Sequence, residues 1–242
     1  MSTEIIAKSA KVSGLTVDET ELALINKHTI EPLTADQVFA FKIAMCDNEV
    51  DRDFEVFPTE TLEKLAELFV GKTMIKDHRS TADNQCARIY HTEVANGEGQ
   101  TKNGEQYARL IARCYMVRTD SNADLIKEIQ AGIKKEVSVS CAIGSCICSI
   151  CGTDNRQAWC KHLNGREYDG AMCYFKLLSP KDAYEVSFVA VPAQPAAGVT
   201  KSYLQSTANK DTENTEKDLI DSELGIIGSF IFTENERMKE NE

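Results

Sequence analysis

The chain has 242 residues, of which 42% are hydrophobic and 27% are charged, and its formal net charge is −11. This composition is typical of a globular protein with ample room for a hydrophobic core. The negative charge argues against a large surface that binds nucleic acid through its phosphates, so no nucleic-acid partner is expected.

Hydropathy and cysteine placement set the expected compartment. No stretch approaches the roughly 20 apolar residues that span a bilayer, and residues 1–8 lack the apolar core of a signal peptide. We therefore expect no membrane partner and a reducing cytoplasm. Six of the nine cysteines fall between Cys141 and Cys173, a clustering that favours metal binding over a disulfide framework.

In chain order, a polar N-terminal lead-in over residues 1–34 comes first, with room for one early strand. Apolar or alternating runs after it predict strands. These runs cover 38–45, 72–76, 87–95, 106–117, 136–144 and 184–191. The turn signals Asn96-Gly97 and Asn103-Gly104 join the third and fourth of them into a hairpin.

Two helices are predicted between the strands. The first begins at Pro58-Thr59, where Thr59 can cap it, carries an apolar stripe from Leu62 to Phe69, and ends before Gly71. The second follows Asp120 or Ser121 and ends near Gly132, and its apolar residues are Leu125, Ile126 and Ile129.

This order of elements predicts an α+β fold that is mainly β, a small closed or nearly closed β-barrel with flanking helices and a zinc-knuckle insertion. We expect one domain over 35–203 with the insertion at about 144–173. Residues 205–242 hold ten acidic and four basic residues, a net charge of −6. The segment 204–242 is therefore predicted to be a disordered or cleavable acidic tail.

The insertion carries the most specific metal-binding pattern in the chain. A Cys-x-x-Cys pair is followed nine residues later by Cys-x-His, which gives three thiolates and one imidazole. Such a set is typical of a closed, tetrahedral, structural zinc (Zn²⁺) site. The predicted ligands are Cys148, Cys151, Cys160 and His162. Cys146 and Cys173 are spare thiols that could replace a ligand, and a redox pair of Cys148 and Cys151 is the alternative.

A candidate nucleophile and a candidate base lie outside the insertion. Ser138 and Ser140 share one face of their predicted strand because successive side chains alternate. Their hydroxyls either pack as small side chains or include a nucleophile, which requires a histidine base. Among the four histidines, His78 follows a short strand and opens a polar loop, where catalytic groups are often held.

Three short motifs occur in a distinctive order. These are Asp77-His78-Arg79 after a short strand, Val137-Ser138-Val139, and Tyr184-Glu185-Val186-Ser187-Phe188-Val189 followed by Pro192-Ala193. Over about residues 38–200, this order and spacing resemble the prohead (capsid-maturation) serine protease family of tailed bacteriophages. That family is distantly related to the assemblin proteases of herpesviruses.

The resemblance implies specific roles for residues of this chain. His78 corresponds to the base and Ser138 to the nucleophile, whereas Ser140 stands where the family has glycine and remains a second candidate. Glu185 lies in the matching Glu-Val-Ser strand and is our choice to orient His78, with a buried structural carboxylate as the alternative. We interpret Ser187 as a packing residue and expect backbone amides near the Ser138 strand to form the oxyanion hole.

The function that the resemblance implies is a serine endopeptidase of viral prohead maturation. It would cleave scaffold and capsid proteins, and itself, within the assembling procapsid in the host cytoplasm, and it could self-associate as a homodimer. The alternative is a non-enzymatic zinc-knuckle adaptor or scaffold protein in capsid assembly, in which Ser138 only packs.

Overall fold

The computed structural model describes residues 14–200. Within this range the three α-helices are α1 (Glu19–Ile25), α2 (Thr59–Phe69) and α3 (Ala123–Gln130). The strands are β1 (Gly14–Leu15), β2 (Val38–Asp47), β3 (Glu55–Val56), β4 (Thr73–Lys76), β5 (Ala87–Gln100), β6 (Gln106–Val117), β7 (Val137–Cys148), β8 (Glu167–Tyr168), β9 (Ala171–Met172), β10 (Phe175–Phe188) and β11 (Gly198–Thr200). None of the helices in this range is long and apolar enough to cross a membrane.

Nine of the strands form one sheet, and β8 and β9 form a separate small hairpin. The sheet order is β1-β2-β6-β5-β4-β10-β3, with β11 beside β2 and β7 beside β10. β10 is parallel to β3 and β4 and antiparallel to β7. β10 therefore lies between β4 and β7, and this central position brings three distant parts of the sequence together.

The predicted α+β, mainly β class is confirmed, but the sheet is not closed into a barrel, where a small closed or nearly closed one was predicted. Where β7 approaches β11, an isolated bridge between Glu136 and Gly198 is formed instead of a strand ladder. β11 has only three residues, and all three pair with β2. The sheet is consequently not closed into a barrel.

The predicted helices are confirmed with small differences at their ends. The stripe of α2 packs into the main core, where Leu62, Leu65 and Phe69 are fully buried. Pro58 rather than Thr59 occupies the cap position of α2, and the Thr59 hydroxyl accepts a hydrogen bond from Asn48 at 3.2 Å. Hydrophobic burial, rather than capping by a side chain, therefore holds this helix in place.

The sequence pattern missed the short strands β3, β8 and β9 and two elements near the ends of the described range. α1 places Ile25 in a second apolar cluster beside Tyr90 and Tyr115. β11 extends the sheet after a proline-rich segment. The predictions for residues 1–13 and for the tail 204–242 fall outside the described residues.

β10 differs most from its prediction, because it begins at Phe175 rather than near Tyr184. Its pairing with β7 shifts register between Pro180 and Asp182 and again between Ala183 and Glu185. Proline and bulges interrupt the alternation of side chains that marks a strand in the sequence. The second shift lies directly before Glu185, so the final segment of β10 has its own register.

Candidate functional site

A polar row crosses two neighbouring strands of the sheet, β7 and β10. In β10, Glu185 pairs with Ser140 of β7, and Ser187 pairs with Ser138. Directly paired residues of neighbouring strands project from the same face of a sheet. The predicted shared face of Ser138 and Ser140 therefore also carries Glu185 and Ser187.

The opposite face of the same strands is apolar. Val137 and Val186 are fully buried in the main core, and Val139 packs against that core. This packing fixes the register, because a slip by one residue would bury the serines and expose the valines. Burial of the alternate valines thus determines which face of the strands carries the serine hydroxyls.

His78 reaches this row from a tight turn after β4. Asp77 and His78 both adopt left-handed backbone conformations, with φ of 55° and 51°. The Asp77 amide donates to the Phe188 carbonyl at 2.9 Å, and the His78 amide donates to Ser187 Oγ at 2.8 Å. The turn therefore folds back onto the end of β10.

His78 and Glu185 form a direct contact. His78 Nδ1 lies 2.7 Å from Glu185 Oε1, and the exposed fractions of the two side chains are 43% and 6%. The second carboxylate oxygen, Oε2, is buried without a hydrogen-bond partner among the described residues. A buried carboxylate thus holds one nitrogen of a ring whose remaining side is accessible.

The two candidate nucleophiles are half-buried in the same row. In the described part of the chain, no hydrogen bond joins the hydroxyl of Ser138 or Ser140 to His78. Ser138 lies opposite Ser187, which holds the His78 amide, whereas Ser140 lies opposite Glu185. The structure thus joins the predicted base, His78, to its predicted orienting carboxylate, Glu185. Both serines lie on the strand beside Glu185 and Ser187, without a hydrogen bond to His78 in the described range.

Two depressions adjoin this row. A pocket of about 250 Å³ borders Ser138 and is lined by the carboxylates of Asp51, Asp53 and Glu55. A larger groove of about 620 Å³ borders Glu185 and Ser80. Burial raises the pKa of both the Asp51 and the Glu55 carboxyl groups. Three carboxyl groups make the wall of the smaller pocket acidic, and burial disfavours ionisation of two of them.

The predicted metal ligands come together at the far end of β7. The four ligand atoms of Cys148, Cys151, Cys160 and His162 all lie within 4.8 Å of one another. Cys160 Sγ lies 3.4 Å from both Cys151 Sγ and His162 Nδ1, and Cys148 Sγ lies 3.8 Å from His162 Nδ1. This cluster could bind a metal ion.

These separations fit tetrahedral coordination. Zinc bonds of about 2.3 Å to sulfur and about 2.0–2.1 Å to nitrogen place the ligand atoms roughly 3.6–3.8 Å apart. A hydrogen bond with Thr153 lowers the pKa of the Cys151 thiol to about 6. The thiolate is the form that binds metals, so this cysteine is prepared for coordination.

The spare thiols lie beside the cluster but outside it. Cys173 is fully buried, and its Sγ lies 3.9 Å from Cys148 Sγ. The backbone amide of Cys146 donates a hydrogen bond to the Asp154 carboxylate at 2.9 Å. The group of ligand atoms that lie within 4.8 Å of one another thus includes neither Cys146 nor Cys173, although Cys173 adjoins Cys148.

Sequence reasoning missed two contacts that support His78. It assigned Ser187 to packing, although Ser187 Oγ accepts the His78 amide. It did not consider Asn84, whose side-chain amide donates to the carbonyls of Lys76 and Arg79 at 2.7 and 2.8 Å. The only available signal was that Asn84 lies in the short polar loop after His78.

Comparison of the chain with protein-family models, with curated proteins and with solved structures finds no match.

Proposed function

We propose that the chain is a serine endopeptidase in which the pair His78 and Glu185 activates Ser138. The observation that carries the proposal is the hydrogen bond between His78 Nδ1 and the buried Glu185 carboxylate, beside a row of serine hydroxyls. In a Ser-His-acid arrangement, the carboxylate fixes the tautomer and orientation of the ring, so that Nε2 can accept the proton of the nucleophile.

The chemistry assigned to these residues is acyl transfer to serine followed by hydrolysis. Ser138 Oγ attacks the carbonyl carbon of the scissile peptide bond while His78 Nε2 takes the hydroxyl proton. His78 then gives that proton to the leaving amine as the C–N bond breaks, which leaves an ester on Ser138. Water, deprotonated by His78, attacks the ester and releases the acid product and the free Ser138 hydroxyl.

Ser138 is preferred over Ser140 because of its place in the strand. Lys76, Phe188 and Val137 pair at the end of the sheet from which the His78 turn enters. Ser138 lies one residue from that end and opposite the residue that holds the His78 amide, whereas Ser140 lies three residues from it. Glu185, which pairs with Ser140, already binds Nδ1, and the proposal assigns the free Nε2 to Ser138.

The biological setting is the part of the proposal that rests on sequence resemblance. The order of the His78, Ser138 and Glu185 motifs supports processing of scaffold and capsid proteins, with self-cleavage, during viral prohead maturation. The enzyme would act within the procapsid in the host cytoplasm, and self-association of the chain belongs to the same proposal.

The proposal also includes one structural zinc ion held by the cluster at the end of β7. The mixture of three thiolates and one imidazole suits zinc, and the measured separations support a tetrahedral site. Four protein ligands leave no coordination position for water, so zinc would hold the 149–174 connection together and take no part in proteolysis.

A second candidate function is a non-enzymatic adaptor in capsid assembly. Trp159, Leu163 and Met172 are apolar and exposed on the metal-binding segment, and the Trp159 side chain is 86% exposed. Exposed apolar side chains of this size can mark a protein-docking surface. This alternative requires no reactive serine.

Reaction with a serine-directed fluorophosphonate separates the two functions. The wild-type chain is expected to be labelled at Ser138, and the variants Ser138→Ala and His78→Ala are expected not to react. His91→Ala serves as the matched histidine control and should keep full labelling. A folded wild-type chain that does not react would exclude the protease and leave the adaptor.

A further inference from the structure

The turn that carries His78 has an unfavourable backbone conformation. Two successive residues with side chains, Asp77 and His78, have positive φ. Such conformations persist only where surrounding contacts hold them. The side chains that supply these contacts therefore control where the imidazole lies.

Ser187 supplies the first contact. Its side chain is fully buried in β10, and its Oγ accepts the His78 amide at 2.8 Å. Glu185 is two residues away on the same face and binds the His78 ring. One strand thus holds both the backbone and the ring of the same histidine.

Asn84 supplies the second contact, from the opposite side of the turn. Its side-chain nitrogen donates to the carbonyls of Lys76 and Arg79, the residues on either side of Asp77-His78. Asn84 is itself held in a short 3₁₀ turn, where its amide donates to the Thr81 carbonyl at 3.2 Å. Both ends of the turn are therefore tied to one amide group.

We propose that Ser187 and Asn84 are positioning residues that hold the His78 turn so that the imidazole stays between Glu185 and the nucleophile. The inference rests on the proposed protease function. Ser187 fixes the His78 amide from within the sheet, and Asn84 fixes the flanking carbonyls from the loop. Neither side chain is assigned a contact with substrate.

Matched substitutions separate hydrogen bonding from packing. Ser187→Thr and Ser187→Val add nearly the same bulk, but only threonine keeps a hydroxyl acceptor. Asn84→Asp keeps the shape of the side chain and removes both donors. Asp83→Asn, at an exposed neighbour in the same 3₁₀ turn, is the control for Asn84.

Two readouts are needed, and the first does not depend on activity. Hydrogen exchange of the His78 amide, measured by NMR, should be at least about fivefold faster in Ser187→Val than in Ser187→Thr, because about 1 kcal/mol is typical of one hydrogen bond. It should also be faster in Asn84→Asp than in Asp83→Asn. The fluorophosphonate labelling rate should fall in the same two variants, and with peptide substrate kcat should fall while KM stays unchanged.

The outcomes distinguish failure of this inference from failure of the protease proposal. Equal His78 exchange in the threonine and valine variants and in the two loop variants would overturn the positioning roles, whatever the reactivity. Faster exchange with unchanged labelling would overturn them as well. If the wild-type chain is not labelled at all, the protease proposal fails, and the catalytic purpose of the two residues fails with it. If Ser187→Thr does not fold, the comparison of Asn84→Asp with Asp83→Asn tests the inference by itself.

Discussion

Ser138 and Cys148 are the second and the last residue of one continuous strand, β7. At about 3.3 Å per residue, the ten residue steps between the two positions span roughly 30 Å of strand. The candidate nucleophile and the Cys/His cluster therefore lie on one strand, but they are too far apart for a bound metal ion to contact Ser138. Metal binding can influence Ser138 by ordering β7 and β10, or through the 51–55 loop, where the Asp53 carbonyl accepts a hydrogen bond from Asn164 of the metal-binding segment.

This separation predicts that loss of the metal affects stability and not serine reactivity. Cys151→Ser is expected to abolish stoichiometric zinc and to lower the Tm, because metal binding and folding of this segment are coupled. Labelling of Ser138 well below the new Tm should stay at the wild-type rate. Metal analysis and thermal unfolding provide the measurements.

Cys146→Ser is the control for this prediction, since Cys146 lies beside the cluster without belonging to it. It should keep zinc and the wild-type Tm. Loss of labelling in folded Cys151→Ser protein would contradict a purely structural metal and would assign the cluster a role near Ser138.

The contact between His78 and Glu185 predicts that the nearly isosteric substitution Glu185→Gln strongly slows labelling of the serine. Glu185→Gln keeps the size of the side chain but removes the charge that stabilises the imidazolium, and it can fix the wrong tautomer. The rate of phosphonate labelling is expected to fall roughly 10²- to 10⁴-fold. Asp182→Asn, at a half-exposed carboxylate of the same strand, should have little effect. Equal rates in both variants would leave Glu185 a structural carboxylate.

The choice between the two serines is tested directly. Ser138→Ala is expected to abolish labelling, whereas Ser140→Ala should keep it, because Ser140 pairs with Glu185, which already binds Nδ1 of His78. Peptide mapping of the labelled wild-type chain identifies the modified residue. A label on Ser140 would reverse the assignment and would show that Nε2 turns toward the middle of β7.

Local patterns predicted the elements that local forces determine. The stripe of α2 and the Asn103-Gly104 turn of the β5–β6 hairpin act over a few residues, so their positions were readable from the sequence. The predicted turn at Asn96-Gly97 is wrong, because both residues lie within β5. The order of the strands depends on contacts between distant segments, and β10 lies between β4 and β7 for reasons that no local pattern contains. Pro180 and the adjacent bulges also concealed the first half of β10.

The candidate site divides in the same way. His78, Ser138 and Glu185 were predicted as candidates from motifs of neighbouring residues, and the four candidate metal ligands from their spacing. The roles of Ser187 and Asn84 depend on hydrogen bonds to backbone groups of a turn with positive φ. Many sequences can form such bonds, so residue identity alone did not reveal them.

The acidic pocket beside Ser138 predicts that one carboxylate destabilises the fold. Burial, followed by the charges of Asp51 and Asp53, raises the pKa of Glu55 above its usual value of 4.5. A raised folded-state pKa means that the folded chain binds the proton more tightly than the unfolded chain. Stability is therefore gained as the pH falls through the folded pKa, and the ionised carboxylate is unfavourable at neutral pH.

Glu55→Gln should consequently raise the Tm at pH 7, by a few degrees at most because the group is partly exposed and screened. The difference from the wild-type chain should shrink as the pH is lowered toward 4.5. The exposed Glu98 provides the control substitution Glu98→Gln. A lower Tm of Glu55→Gln at pH 7 would contradict the sign of the effect.

Self-cleavage provides the last prediction and concerns the acidic segment after the described residues. The final described strand, β11, ends at Thr200, and residues 205–242 carry a net charge of −6. A capsid-processing protease that also cleaves itself is expected to lose this segment, and mass spectrometry of the purified chain should show truncation after about residue 200.

The variants Ser138→Ala and Glu185→Gln should remain full-length under the same conditions, whereas Asp182→Asn should be truncated like the wild-type chain. Truncation of the wild-type chain and of Ser138→Ala to the same extent would assign the cut to another protease. A wild-type chain that is labelled at Ser138 but stays full-length would support the proposed serine hydrolase activity and would contradict self-cleavage.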